Sequence, residues 1–125
     1  MKKTLFITII LVVAIISSCS KDQAKDAADD YIGNYTSTTT GWGDFVISKV
    51  DASSILLKES VVSGWTATAQ VNGNTIDIPI QLMGSYYTWG TGTRTGNTIS
   101  FAIREGKSST GGVGTGGYGF TLLKK

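Results

Sequence analysis

The chain has 125 residues, with 11 basic and 9 acidic side chains, one cysteine and no histidine. This length suits a single domain. The nearly equal numbers of basic and acidic side chains exclude the strongly basic footprint of a nucleic-acid-binding protein. Without histidine the chain lacks the commonest general base and the commonest metal ligand. We therefore expect neither an enzyme nor a protein that uses a metal or a cofactor.

The first segment of the chain has the layout of a secretory signal. Two lysines follow Met1, a run that is apolar except for Thr8 fills residues 5–16, and two serines precede the single cysteine. The apolar run is short for a membrane-spanning helix. The sequence Ile16-Ser17-Ser18-Cys19 resembles the lipobox of bacterial lipoproteins, in which the cysteine is acylated and the signal is cut before it.

That resemblance implies a signal peptide over residues 1–18 and a mature chain that begins at Cys19, with fatty-acyl chains such as palmitate on its thiol and its amino group. Two or more acyl chains hold a protein stably on a membrane, whereas one does so only marginally. Ser20 stands where an aspartate would retain a lipoprotein in the inner membrane. We expect a bacterial outer membrane and leave its face open. An uncleaved anchor and a plain secretory signal are the alternatives.

Residues 19–30 are predicted to form a lipidated tether, with one helical turn around residues 23–28. After the cysteine they contain no aromatic and no β-branched residue, a composition that buries no core. All 16 glycines of the chain lie at or beyond Gly33. We therefore place the folded domain at residues 31–125.

The domain is predicted to be all-β, because short alternating segments are separated by turn residues along its whole length. Alternation is clearest on the two sides of Asn72-Gly73, a dipeptide suited to a tight hairpin turn. Pro79 cannot donate to a β-ladder, so it predicts an edge, a bulge or a gap in pairing. The eight predicted strands are residues 31–40, 44–50, 54–62, 65–72, 75–82, 85–95, 99–104 and 118–122, with a glycine-rich loop at 106–117.

Consecutive hairpins build a meander, and closing eight strands removes both edges. The expected fold is a small eight-stranded antiparallel up-and-down barrel, with a two-sheet β-sandwich as the alternative. The domain resembles the lipocalin-like (calycin-type) barrels of envelope lipoproteins in strand count, in meander order and in its opening, where Gly33-Asn34-Tyr35 stands in the place of the lipocalin Gly-x-Trp. The family implies binding rather than catalysis.

Four aromatic side chains are the candidate binding residues. Trp65, Tyr87 and Trp89 lie on predicted central strands, where they either pack the core or line an interior pocket for a small ligand. Trp42 lies between two glycines, a position that predicts an exposed anchor for a protein partner. The carboxylates of the domain are expected to be solvated. No metal site is predicted.

Two functions follow from these expectations. The first is a lipid-anchored envelope barrel that binds a small ligand without catalysis. The alternative is a lipoprotein that binds another protein, as an enzyme inhibitor or as an accessory subunit of an envelope complex. An interior cavity of about 300 Å³ or more would favour the ligand, and a filled barrel would favour the protein partner.

Overall fold

A computed structural model describes residues 24–60, 62–107, 109 and 114–125, so that the signal segment and Cys19 lie outside the described residues. A 3₁₀ helix precedes eight strands. The helix is Ala27–Asp30, and the strands are β1 Gly33–Ser37, β2 Asp44–Asp51, β3 Ser54–Glu59, β4 Thr66–Asn72, β5 Thr75–Met83, β6 Tyr86–Thr95, β7 Thr98–Gly106 and β8 Gly114–Lys124.

The strands form a closed antiparallel barrel in which each strand pairs with the next along the chain. β8 returns to β1, with Lys124 opposite Tyr35 and Leu122 opposite Ser37. The predicted eight-stranded up-and-down barrel is therefore confirmed, and the β-sandwich alternative is wrong. This architecture is consistent with a lipocalin-like barrel.

The barrel encloses the apolar residues that alternate along its strands. On β4, for example, Ala67, Ala69 and Val71 are buried, and the polar residues between them face outward because successive side chains of a strand point to opposite sides. The largest fully buried apolar or aromatic side chains are Tyr31, Tyr35, Phe45, Ile47, Ile55, Leu57, Ile76, Ile78, Ile99, Ile103 and Leu122.

The 3₁₀ helix closes one end of the barrel, which we call the base. The side chain of Ala28 is fully buried, and its amide donates to the carbonyl of Ala52 at 3.1 Å. The hydroxyl of Tyr31 donates to the carbonyl of Gly73 at 2.6 Å, and that of Tyr35 donates to the carbonyl of Tyr31 at 2.8 Å. The packed structure thus includes residues 27–30, which precede the first strand.

At the opposite end, which we call the mouth, β8 begins earlier than expected. Gly116 and Gly117 were predicted to lie in a loop, but they pair with Glu105 and Arg104 of β7. Glycine has a low β-propensity because it loses more backbone entropy than other residues. Pairing along the full length of β7 overrides that preference.

Candidate functional site

A stack of aromatic rings fills the barrel interior near the mouth. The ring of Phe120 stacks on Trp42 with centroids 4.6 Å apart, on Phe101 at 4.9 Å and on Phe45 at 5.2 Å. Trp65 meets the same ring edge-on at 5.6 Å. Offset and edge-to-face contacts of this kind stabilise a core beyond the area that they bury. The interior space that a small ligand would need at this end is therefore taken by side chains.

Trp42 was predicted to be an exposed anchor, and this placement is wrong. The side chain is partly buried and packs against the core. Gly41 adopts a φ of 92°, a left-handed conformation that residues with a side chain rarely adopt, and the amide of Gly43 is held by Glu59 at 2.8 Å. These two glycines turn the loop so that the indole lies over Phe120.

Trp65 lies inside the barrel, with 4% of its surface exposed, and begins a chain of hydrogen bonds at the mouth. Its indole N–H donates to the hydroxyl of Tyr118 at 3.0 Å, and that hydroxyl donates to Glu105 Oε1 at 2.7 Å. Burial and the bond to the Glu105 carboxylate raise the pKa of Tyr118 far above its ordinary value. The polar atoms in this chain are thus engaged with one another.

Thr88 is the inward neighbour of Glu105 across β6 and β7. Its side chain is fully buried, and its hydroxyl has no hydrogen-bond partner within the part of the chain that the structure describes. A buried hydroxyl of this kind is costly unless a water or a ligand satisfies it.

Glu59 is a buried acidic group at the mouth, which corrects the expectation that the carboxylates are solvated. Only 1% of its surface is exposed. It accepts hydrogen bonds from the amide of Gly43 at 2.8 Å, from the amide of Ser63 at 2.6 Å and from the Ser63 hydroxyl. Burial alone would raise the pKa of Glu59, but these bonds to the ionised form lower it below its ordinary value. The carboxylate therefore ties the β1–β2 loop to the β3–β4 loop.

Tyr87 and Trp89 do share one face of β6, as predicted, but that face is the outside of the barrel. Thr88 and Gly92 are the buried residues of this strand, and Gly90 lies on the same inward side. A Cβ atom on Gly92 would lie 2.8 Å from the ring of Phe101. The interior beside β6 is thus occupied by Phe101, and the placement of Tyr87 and Trp89 around an interior pocket is wrong.

On the outer face, these two aromatic residues lie beside exposed apolar residues of β5. Leu82 is the cross-strand partner of Tyr87, and the register between β5 and β6 shifts between Ile78 and Gln81. Leu82 is 63% exposed and Ile80 is 38% exposed. Extra residues in one strand are the mark of a β-bulge. The irregularity that was predicted at Pro79 is therefore confirmed by this shift in register. We call this surface the outer patch: Pro79, Ile80, Leu82, Tyr87 and Trp89.

An open groove of about 810 Å³ adjoins the outer patch and crosses the outer faces of β5 to β8. Trp89 and Pro79 line it, Arg104 and Asp77 contribute charge, and several small residues also belong to its lining. The small residues are Gly90, Ala102, Gly117 and Gly119. The groove combines an aromatic residue with a few polar groups, which is typical of binding surfaces.

A second cleft lies at the base and is lined by charged residues. Lys49 contacts Asp26 at 2.5 Å and Asp29 at 2.9 Å. The charged groups of this cleft are therefore largely paired with one another. Among residues 24–60, 62–107, 109 and 114–125, no cluster of three or more acidic, cysteine or histidine side chains could hold a metal ion. No helix in that same part of the chain is long and apolar enough to cross a bilayer.

Sequence reasoning missed Glu59, Tyr118 and Leu82 as residues of interest. The alternation of apolar residues along β5 predicts an inward side chain for Leu82. The bulge at Pro79 turns that side chain outward. Glu59 ends a strand before a serine- and glycine-containing loop, which is a weak signal for a carboxylate that binds loop amides. In comparisons by sequence and by structure, no family model, no curated protein and no solved structure matches the chain.

Proposed function

We propose that this chain is a lipoprotein of a bacterial envelope, anchored through Cys19 to the outer membrane, which binds a partner protein through the outer patch and has no catalytic role. The observation that carries the proposal is the filling of the barrel near the mouth by stacked rings, together with the outward orientation of Tyr87 and Trp89. A filled barrel can bind only through its surface. Exposed Leu and Ile side chains beside partly exposed Tyr and Trp side chains on one face are typical of interaction sites.

The anchor rests on the lipobox resemblance of Ile16-Ser17-Ser18-Cys19. Lipid attachment suits a surface-binding domain, because it concentrates the domain at the membrane where an envelope partner lies. Inhibition of an envelope enzyme and service as an accessory subunit both fit such a domain.

The groove beside Trp89 favours a second candidate, which is a small ligand bound on the outside of the barrel. Its volume of about 810 Å³ falls within the usual range for ligand sites, roughly 300–1,000 Å³. The groove is open along its length, whereas such sites usually enclose most of the ligand surface. The protein partner therefore remains the first candidate.

Native mass spectrometry of the lipoprotein, gently extracted from its own envelope, separates the two candidates. A stoichiometric protein companion that is lost in Trp89→Ala supports the first candidate. A small-molecule adduct that survives extraction and is lost in the same variant supports the second. A companion or adduct that persists in Trp89→Ala and in Leu82→Asp would show that the outer patch is not the site.

A further inference from the structure

The seam between β4 and β5 is paired only in the half of the barrel nearest the base. Its three pairs are Gln70 with Asp77, Val71 with Ile76, and Asn72 with Thr75. Toward the mouth, β5 continues to Met83 and pairs with β6 alone. Both strands lie wholly within the described residues, so the mouth half of this seam has no backbone ladder across it.

Pro79 explains where the ladder stops. Continuing the register of Gln70 with Asp77 would set Thr68 opposite Pro79. Proline has no amide hydrogen, so Thr68 would lose its donor at that point.

A side chain takes the place of the missing pair. The amide of Thr68 donates to Gln81 Oε1 at 2.9 Å, and Gln81 Nε2 donates to the carbonyl of Thr68 at 2.8 Å. Gln81 Nε2 also donates to the carbonyl of Pro79 at 3.0 Å. A glutamine amide has the same donor and acceptor as a peptide group. The seam therefore holds a peptide-like group at a point where β4 and β5 do not pair.

The neighbouring backbone groups extend this opening along the seam. Backbone groups of alternate residues in an antiparallel ladder point to the same side, so those of Thr66 point to β5 as those of Thr68 do. By the same rule those of Leu82 point to β4, because Met83 and Tyr86 flank a two-residue turn as a hydrogen-bonded pair and leave Leu82 and Tyr87 as a non-hydrogen-bonded pair. The mouth half of the seam thus offers donors and acceptors at the spacing of a strand, beside the exposed side chains of Ile80 and Leu82.

We propose that the partner protein inserts an extended segment into this seam, where its backbone pairs with Thr66 and Thr68 of β4 and with Leu82 of β5. The segment displaces the amide of Gln81, and apolar side chains at alternate positions of the segment cover the outer patch. Strand addition of this kind draws its affinity from backbone hydrogen bonds and its specificity from alternate side chains. The inference rests on the proposed function and specifies its partner as a protein with an extended apolar segment.

The path of the tether favours a protein over the bilayer as the occupant. From Cys19 to Ala24 the chain spans at most about 18 Å, and Ala24 lies by the cleft at the base. Leu82 is separated from the base turn at Thr75 by a strand length of about 23 Å. A lipid on Cys19 would hold the base next to the membrane and leave the seam at the far end.

The test measures amide hydrogen exchange in the folded chain with a synthetic strand as the probe. The probe is a peptide with the sequence of residues 75–82 in which threonine replaces Pro79, so that it can donate to Thr68. At about 1 mM peptide, exchange at Thr66 and Leu82 should slow at least ~10-fold, while exchange at Val71 stays unchanged. A control peptide with N-methyl groups at alternate residues should have no effect, because it cannot form the ladder.

The variant Gln81→Ala gives a second readout. It tests whether the peptide displaces the side-chain amide of Gln81. Without the glutamine amide to displace, the peptide should bind ~10-fold more tightly, and Gln70→Ala on the exposed face of β4 should leave binding unchanged. Weaker or equal binding in Gln81→Ala would overturn the proposal. If that variant does not fold, the N-methylated peptide in the unaltered chain decides the question.

Other outcomes separate this inference from the proposed function. Unchanged exchange at Thr66 and Leu82 would refute strand insertion, and a protein companion that still depends on Trp89 would leave the proposed function standing. Protection of the same amides without peptide, rising with protein concentration as the chain dimerises, would make a second copy the occupant and refute the partner segment.

Discussion

Gly92 lies directly opposite Phe101 across β6 and β7, and the ring of Phe101 occupies the space where a Cβ atom of residue 92 would be, 2.8 Å away. Because residue 92 has no Cβ atom, β6 can lie close to the core. The aromatic side chains of the same strand face outward. Gly92→Ala should lower the free energy of unfolding by about 1–3 kcal/mol, because extra volume in a packed core forces neighbours to move. Urea denaturation measures the loss.

Gly116→Ala is the matched control for that substitution. Gly116 also lies in a strand, but a Cβ atom there would meet nothing within 4 Å. Alanine at that position should leave stability unchanged or raise it slightly. Equal losses in the two variants would mean that the contact with Phe101 does not restrict residue 92.

Glu59→Gln should destabilise the domain by about 2–4 kcal/mol at neutral pH, because a neutral amide cannot replace a carboxylate that accepts bonds from two amides and a hydroxyl. Asp44, by contrast, is half-exposed and paired with Lys125 at 2.5 Å. Asp44→Asn should cost far less, since exposed ion pairs contribute little. Thermal unfolding at pH 7 checks both values.

The same carboxylate gives the domain a pH dependence. The pKa of Glu59 is lower in the folded chain than its ordinary value, so its contribution is complete above the unfolded pKa, about 4.3, and is lost as the pH falls through the folded pKa. The unaltered chain should therefore lose stability below about pH 4.3. Glu59→Gln should lose less over that range, and parallel profiles for the two chains would contradict this role.

Tyr118→Phe should cost about 1–3 kcal/mol, because it removes the hydroxyl that links the indole of Trp65 to Glu105 and leaves both without that partner. Near-ultraviolet circular dichroism should change as the surroundings of Trp65 relax. Tyr86→Phe is the control, since Tyr86 is 42% exposed. A Tyr118→Phe variant as stable as the control would show that the hydrogen-bond chain contributes nothing net.

Leu82→Asp should leave the free energy of unfolding within about 0.5 kcal/mol of the unaltered value, because the side chain is already in water. Under the proposed function it should nevertheless abolish the partner complex seen by native mass spectrometry. Val50→Asp is the control, because Val50 is 56% exposed and lies on β2, away from the outer patch. Loss of the complex in both variants would point to a general surface effect.

Cys19→Ala should abolish labelling of the chain by a radioactive or alkyne-tagged fatty acid, because the acyl acceptor is gone. The precursor should also keep its signal, since cleavage before the cysteine follows acylation in proteins with this motif. Gel mobility and the mass of the extracted chain report both effects. Normal maturation of the variant would remove the anchor from the proposed function.

Much of the barrel follows from local pattern. Alternation on β4 marks Ala67, Ala69 and Val71 as one face, and Gly73 adopts the positive φ of 58° that a tight turn at Asn72-Gly73 requires. Turn residues recur at nearly every junction between strands, which sets the strand count. These signals are local, so a single sequence carries them in full.

The sequence by itself determined the all-β class, the meander and an irregularity in pairing at Pro79. Tertiary structure decided which face of β6 lies inside. Tyr87 and Trp89 are more apolar than Gly90 and Gly92, and local pattern therefore favours the aromatic face as the buried one. In a barrel of this size the interior holds a limited number of large side chains, and Phe101, Phe120, Trp42, Phe45 and Trp65 already fill it near the mouth. Packing across the barrel thus turns the aromatic face of β6 outward, because volume is shared among strands that are distant in sequence.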